Sequence, residues 1–393
     1  MPLPFSRWEK LKLALRLLYA GTKITIACLQ YLKLIWLSLI VPLALAYMIR
    51  SFLLTRRRGI PSRLFLTCAY LRVVLGFSAR QIQYLSLSTR ETYRTWIQQR
   101  NDEAKRRRCQ KHAKRLVYDQ EDLEDRKSSL LWVGDRHHAT KVVLFFHGGG
   151  YAAPLTTGHL EWCWRSYVTA GSDMGIEVAV AVLEYTLTTE ARHPVQLRQA
   201  TSGLAHLLSK GISPHDIIIG GDSAGGQLAV QLLSHLLQPQ PTVPRVMLPV
   251  PLAGAFLVSP WVARSTDDPS FIQNSALDML SKPIVEAFTK ELLGSNVKST
   301  ASPFPLDWDK STLVGITSIL TQLYVTVGEH EVFRDQVVTF KERVQLLNPS
   351  LKLHFKCHQS CAHDFIILEG GQQQDGECTQ YMKQWMVDLL ALN

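Results

Sequence analysis

Ile217-Ile218-Ile219-Gly220-Gly221-Asp222-Ser223-Ala224-Gly225-Gly226 is the stretch on which the reading of the fold turns. Three consecutive β-branched residues form a short buried strand, and Gln227 to Leu237 follows with helical spacing, so Ser223 falls on a strand-to-helix turn. Gly221 and Gly225 flank it in the pattern GxSxG. A residue at so sharp a turn takes a strained backbone, and side chains at 221 and 225 would obstruct it. The pattern alone occurs by chance; a strand before it and a helix after it make Ser223 a candidate nucleophile.

Outward from this turn, short β-branched runs alternate with longer helical stretches from residue 130 onward, the rhythm of a mostly parallel sheet with crossover helices. The strand candidates are Val142 to Phe146, Val178 to Leu183, Ile217 to Gly220, Ala255 to Val258, Leu323 to Val327 and Leu351 to Phe355. Residues 264–311 are too long for a simple crossover and read as a partly helical insertion over the sheet. Directly after the run Val142 to Phe146 comes His147-Gly148-Gly149-Gly150-Tyr151. Glycines at 148, 149 and 150 leave backbone N–H groups bare, and with the N–H of Ala224 they can receive the oxyanion of a tetrahedral intermediate. A plain tight turn is the competing reading of this loop. His147 shapes the loop and does not act as a base.

HGGGY at 147–151 and GDSAGG at 221–226 together resemble the hormone-sensitive-lipase branch of the α/β-hydrolases, which includes steryl acetyl hydrolases and arylacetamide deacetylases. Tyr185, His193 with Pro194, and Ser259-Pro260-Trp261 extend the resemblance, which covers roughly residues 135–390 and none of the first third. It implies an α/β-hydrolase fold with a helical cap.

A serine hydroxyl needs a base to take its proton and an acid to orient that base. The segment after the last strand offers His354, His358 and His363. His363 matches the HDF of the family, His358 is the reserve, and His354 lies inside the strand pattern. After the strand Leu323 to Val327 the carboxylates are Glu329, Glu331 and Asp335. The resemblance selects Glu331, where relatives carry Asp; the extra methylene keeps Asp335 open as the alternative acid. The expected catalytic set is Ser223, Glu331 and His363, a chemistry that requires neither metal nor organic cofactor.

The net charge of +10 is unevenly divided. Residues 1–115 hold 23 Lys and Arg against 4 Asp and Glu, giving +19, whereas residues 116–393 carry −9. A basic, apolar front end suits an anionic membrane surface, and the acidic remainder argues against nucleic acid as a partner. Leu34 to Ile49 contains no charge, and with Tyr31, Leu32 and a snorkelling Lys33 it approaches the ~20 residues of a bilayer span. A single spanning anchor is the expectation, with an interfacial helix and a cap core helix as competing readings. The polar front is too long for a cleaved signal peptide. Lys and Arg balance on the two sides, so orientation stays open. The basic run around Lys105 to Arg108 fits either lipid or a solvated helix face. Seven scattered cysteines form no zinc pattern.

The domain reading is a membrane anchor over 1–59, a helical cap or linker over 60–129, and a catalytic domain over 130–393. The expected function is hydrolysis of a carboxylic ester through an acyl-enzyme on Ser223. The resemblance implies a short acyl ester, such as an acetate, of a lipophilic sterol or terpenoid alcohol, acted on at the endoplasmic reticulum membrane. A general lipase or an arylacetamide-type amidase is the alternative within enzymes. A ligand-binding protein on a hydrolase scaffold is the alternative outside them, and the complete Ser, Glu and His set argues against it.

Overall fold

Runs of residues that are apolar on both faces lay down the sheet. A computed structural model describes residues 38, 41–106, 113–294 and 302–391. Its eight strands are β1 (Gln120–Asp122), β2 (Ser129–Val133), β3 (Lys141–Phe146), β4 (Val178–Glu184), β5 (Ile217–Asp222), β6 (Gly254–Val258), β7 (Gln322–Gly328) and β8 (Lys352–His358). They pair in the order β1-β2-β4-β3-β5-β6-β7-β8. The pairs from β4 to β8 are all parallel. β1 and β2 enter antiparallel at one edge. All six strands expected from the sequence are present. β1 and β2 were not expected, and the sheet therefore begins at Gln120, earlier than the boundary at 130.

Successive side chains of a strand point to opposite faces, and both faces of β3 are covered by helices. Phe145 meets Trp162 of the helix Thr157–Cys163 with ring centroids 5.1 Å apart. Its neighbour Leu144 lies against Gly203 of the helix Val195–Ser209 on the other face. Phe256 of β6 continues the first layer, packing on Tyr167 and on Trp385 of the C-terminal helix Glu377–Leu390.

The strand order reverses around β3. β4 lies on one side of it and β5 on the other, so the loops after β3 and β5 diverge and leave a crevice at their carboxyl ends. Phe146 pairs with Gly221 there. The glycine loop and Ser223 thus begin side by side, at the edge where ligands bind in open parallel sheets.

The insertion supplies the helices Pro269–Asn274 and Lys282–Leu293; residues 295–301 lie outside the described set. The helices Ser62–Leu75, Ala79–Leu85 and Thr89–Arg106 share the core of the sheet domain through Phe65, Ile82, Tyr93 and Trp96. Residues 41–58 are helical and pack on Ser62–Leu75, with Ser51 Oγ donating to the Phe65 carbonyl at 3.2 Å. Of the expected membrane span, residues 31–37, 39 and 40 lie outside the described residues, as do Cys28, Cys109 and, of the basic run, Arg107, Arg108 and Lys111. Among the described residues no single helix is long and apolar enough to cross a membrane. Ser62–Leu75 with Ala79–Arg106 reaches that length only as a pair bent by 118°.

Candidate active site

Ser223 is the first residue of the helix Ser223–Leu237 and directly follows β5. Its φ of 48° is left-handed, a conformation that L side chains avoid and that functional turns retain. The turn is tight enough that a Cβ on Gly225 would collide with the Phe146 carbonyl of the neighbouring strand. Ala224 carries one of the first amides of the helix, which have no intrahelical acceptor.

The loop after β3 turns back on itself. Gly149 sits at φ 98°, and its carbonyl accepts the N–H groups of Ala152 and Ala153 at 3.0 and 2.9 Å. The amides of Gly148, Gly149 and Gly150 have no acceptor among the described residues. His147 is buried beneath the loop, stacked on Tyr185 with centroids 4.3 Å apart, and its Nδ1 lies 2.8 Å from the Gly148 carbonyl. Tyr185 donates its hydroxyl to the His147 carbonyl at 2.7 Å. Burial pushes the His147 imidazole down to about 3, and nearby His159 adds to the effect. His147 is therefore a neutral structural group, as the sequence suggested.

His363 Nε2 stands 3.0 Å from Ser223 Oγ. On the other side of the ring, Nδ1 is 3.5 Å from Glu331 Oε1, an ion-pair distance longer than a tight hydrogen bond. Glu331 is wholly buried, and its Oε2 accepts from Ser259 Oγ at 2.7 Å and from the Gly328 N–H at 2.8 Å. Asp335, the alternative acid, is engaged elsewhere: it accepts the Ser270 N–H at 2.8 Å and pairs with Arg334 at 2.9 Å. His358, the reserve base, pairs with Glu377 at 3.2 Å, and His354 stands within β8. The structure thus brings Ser223, His363 and Glu331 together and leaves the other candidates out.

Five residues beside this set were not singled out as functional in the sequence. Ser259, at φ 46°, is the donor that fixes Glu331, and Trp261 in the same SPW donates its backbone N–H to the Ser223 carbonyl at 3.0 Å. That motif was visible as part of the resemblance, but its task was not. Asp278 of the insertion is buried, accepts the Val332 N–H at 2.6 Å, and is pushed up to about 6, chiefly by burial. Arg72 of the helix Ser62–Leu75 donates to the carbonyls of Asp278 and Leu280, which ties the N-terminal helix to the insertion. Asp364 follows the histidine at φ 53°, with Oδ2 3.1 Å from His363 Nε2.

Ser223 and His363 open onto a cavity of about 380 Å³. Thr67, Leu71 and Leu75 of the N-terminal helix, Met279, Leu280, Val285 and Phe288 of the insertion, and Phe333 line it. The walls are mostly apolar, with Asp222, Ser223, His363 and Asp364 among the few polar groups, the composition expected of a pocket for an apolar ligand. Among the described residues no cluster of His, Cys, Asp and Glu is arranged to hold a metal ion.

Comparison with known proteins gives the same architecture. A Schizosaccharomyces pombe protein with the provisional name steryl acetyl hydrolase mug81 is 25% identical over 241 residues, covering 58% of this chain and 60% of that protein. An esterase of Acinetobacter venetianus is 27% identical over 230 residues, covering 58% of this chain and 68% of its own. Among solved structures, a fungal esterase from Rhizomucor miehei superposes with a TM-score of 0.57 at 16% identity, over 70% of this chain and 81% of its own. A thermostable esterase from Pseudomonas putida gives 0.53 at 18% identity, over 67% and 77%. The profile of the α/β-hydrolase fold matches residues 143–367, more than half of the chain and every element from β3 to the loop of His363, and to that family the chain belongs.

Proposed function

We propose that the chain is a serine carboxylic-ester hydrolase. Ser223 is the nucleophile, His363 the general base and acid, Glu331 the group that orients the imidazole, and the amides of Gly148, Gly149, Gly150 and Ala224 receive the oxyanion. The 3.0 Å contact of Ser223 Oγ with His363 Nε2, at a left-handed strand-to-helix turn, carries the reading. Ser223 Oγ attacks the ester carbonyl while its proton passes to Nε2, and the carbonyl oxygen becomes an anion facing the glycine loop. The intermediate collapses, the alcohol leaves with the proton from Nε2, and the acyl group stays on Oγ. Water then attacks the acyl carbon, gives its proton to Nε2, and the acid departs as Ser223 recovers its hydrogen.

We take the substrate to be a short acyl ester, such as an acetate, of a lipophilic alcohol. The apolar cavity and the names of the S. pombe and A. venetianus relatives support this. Attachment to a membrane through residues 1–59 belongs to the same reading. It is supported by Val41, Leu45, Ile49 and Leu53, which are exposed on the helix 41–58 next to exposed Arg50, Arg56 and Arg57.

A fluorophosphonate probe tests the chemistry. It is expected to modify Ser223 in the folded chain and to leave Ser223→Ala unmodified; absence of an adduct on the folded wild type overturns the hydrolase reading. Acetyl and long-acyl esters of one sterol, compared by kcat/KM, test the acyl class, with the acetate expected to be preferred at least tenfold.

A further inference from the structure

The imidazole of His363 has two nitrogens and three partners. Ser223 Oγ at 3.0 Å and Asp364 Oδ2 at 3.1 Å both address Nε2, while Glu331 addresses Nδ1. Nε2 carries one proton or one lone pair, so Ser223 and Asp364 compete for it.

Asp364 is held in this position. Its backbone is left-handed, and its N–H donates to Ser259 Oγ at 3.3 Å, the same hydroxyl that donates to Glu331. One serine therefore links the carboxylates on the two sides of the ring. Asp364 is 6% exposed, borders the cavity, and its Oδ1 has no partner among the described residues.

Building on the hydrolase reading, we propose that Asp364 is a second carboxylate partner of His363, a positioning residue that binds the Nε2 proton in the resting site and so sets the pH at which the base becomes free for Ser223. In the resting pair the Nε2–H points to the Asp364 carboxylate, and Ser223 has no lone pair to receive its proton. Loss of that one proton to solvent leaves a neutral imidazole with Nδ1–H toward Glu331 and the Nε2 lone pair open to Ser223. When Oγ attacks, the proton from Oγ rebuilds the imidazolium between Asp364 and Glu331, and from Nε2 it goes on to the leaving alcohol. The same carboxylate makes the base stronger and makes it free less often.

The charges around the pair agree with this. Facing it are Glu331 after β7, Asp278 of the insertion, and Asp222 at the end of β5, the last paired with His159 at 3.2 Å. The nearby cation, Arg72, bonds to backbone carbonyls and not to these carboxylates. Burial works against a charge on His363, but the Asp364 and Glu331 carboxylates outweigh it and hold the imidazole well above its usual range. Burial pushes the Asp364 carboxyl upward, with Asp222 and Glu331 adding repulsion, while His363 pulls it back toward the ionised form.

The experiment is the rate of fluorophosphonate labelling of Ser223 in the full chain as a function of pH. The wild type is expected to show an acid limb with its midpoint above the ordinary histidine value of about 6.5. In Asp364→Asn that midpoint falls by about one pH unit or more, the effect of removing an opposite charge in contact, while the alkaline plateau drops because the base is weaker. Relative to its own plateau, the variant then labels about tenfold faster than wild type at a pH well below both midpoints. A merely structural role would lower labelling at every pH and leave the midpoint in place. Asp364→Ser provides the same reading should the Asn variant fail a thermal-unfolding check, and the wild-type midpoint decides by itself should both fail. A wild-type midpoint at or below 6.5, or an unmoved midpoint in a folded variant, overturns the proposal and leaves the hydrolase reading standing. No labelling of the wild type at any pH overturns both.

Discussion

Glu331 and Asp335 stand four positions apart on one loop and helix start, and their surroundings assign them different work. Glu331 has its Oε2 occupied by Ser259 and Gly328, leaving Oε1 for the ring of His363. Asp335 holds the first turn of the insertion helix Pro269–Asn274 by accepting from Ser270. Glu331→Gln is therefore expected to lower kcat by about 10³–10⁴-fold, the loss that follows when the orienting carboxylate becomes an amide. Asp335→Asn should keep kcat within a few-fold and lower stability by about 1 kcal/mol, read in urea unfolding. His147 gives a second prediction. Its folded value of about 3 lies below the 6.5 of an exposed histidine, so between those limits the unfolded chain holds a proton that the folded chain refuses. Its stabilising contribution is complete above 6.5 and is lost as pH falls toward 3. Unfolding free energies of His147→Gln measured from pH 4 to 7 should fall less steeply with acidity than those of wild type, by up to one proton.

The elements around the site differ in how openly the sequence announces them. β3, β5, β6 and β7 are wholly buried, and a strand covered on both faces reads as a near-continuous apolar run, so each stands out against the helices between. β1 is three polar residues at an edge, and β2 pairs antiparallel with β4 without a crossover helix of its own; neither has the strand-helix rhythm that made the rest legible. The glycine loop, Ser223 and His363 were readable because local motifs carry them. Ser259 and Asp278 were not, since each acts on a loop more than fifty positions away, Ser259 through Glu331 and Asp278 through the Val332 N–H, and no local pattern encodes that meeting. The helix Ser62–Leu75 was legible as a helix, but its position against the cavity depends on Arg72 finding the carbonyls of the insertion. Its Leu71 gives a test at this scale. Leu71→Trp should fill part of the cavity, raise KM for an ester of a bulky alcohol about tenfold or more, and spare the kcat/KM of p-nitrophenyl acetate to within a few-fold; equal losses on both would place Leu71 away from the alcohol side.

At the scale of the whole chain, the described helices of the basic N-terminal part, within residues 41–106, pack onto an acidic catalytic part. The helix 41–58 turns Ala44 and Ser51 inward and leaves Val41, Leu45, Ile49 and Leu53 exposed. The full chain is expected to stay with the membrane pellet through a carbonate wash, and a chain beginning at residue 60 to be released; release of the full chain would count against a spanning anchor. The site itself is gathered from distant parts, with Leu71 near one end, Ser223 in the middle, and His363 140 positions beyond the serine. During synthesis at about 5–20 residues per second, the ribosome delivers the serine roughly 7–28 seconds before the proposed base, His363. For that interval Ser223 has no base to take its proton and stays an ordinary, weakly nucleophilic alcohol. The order of manufacture acts as a safety catch, released only when the segment that carries His363 has folded against the rest.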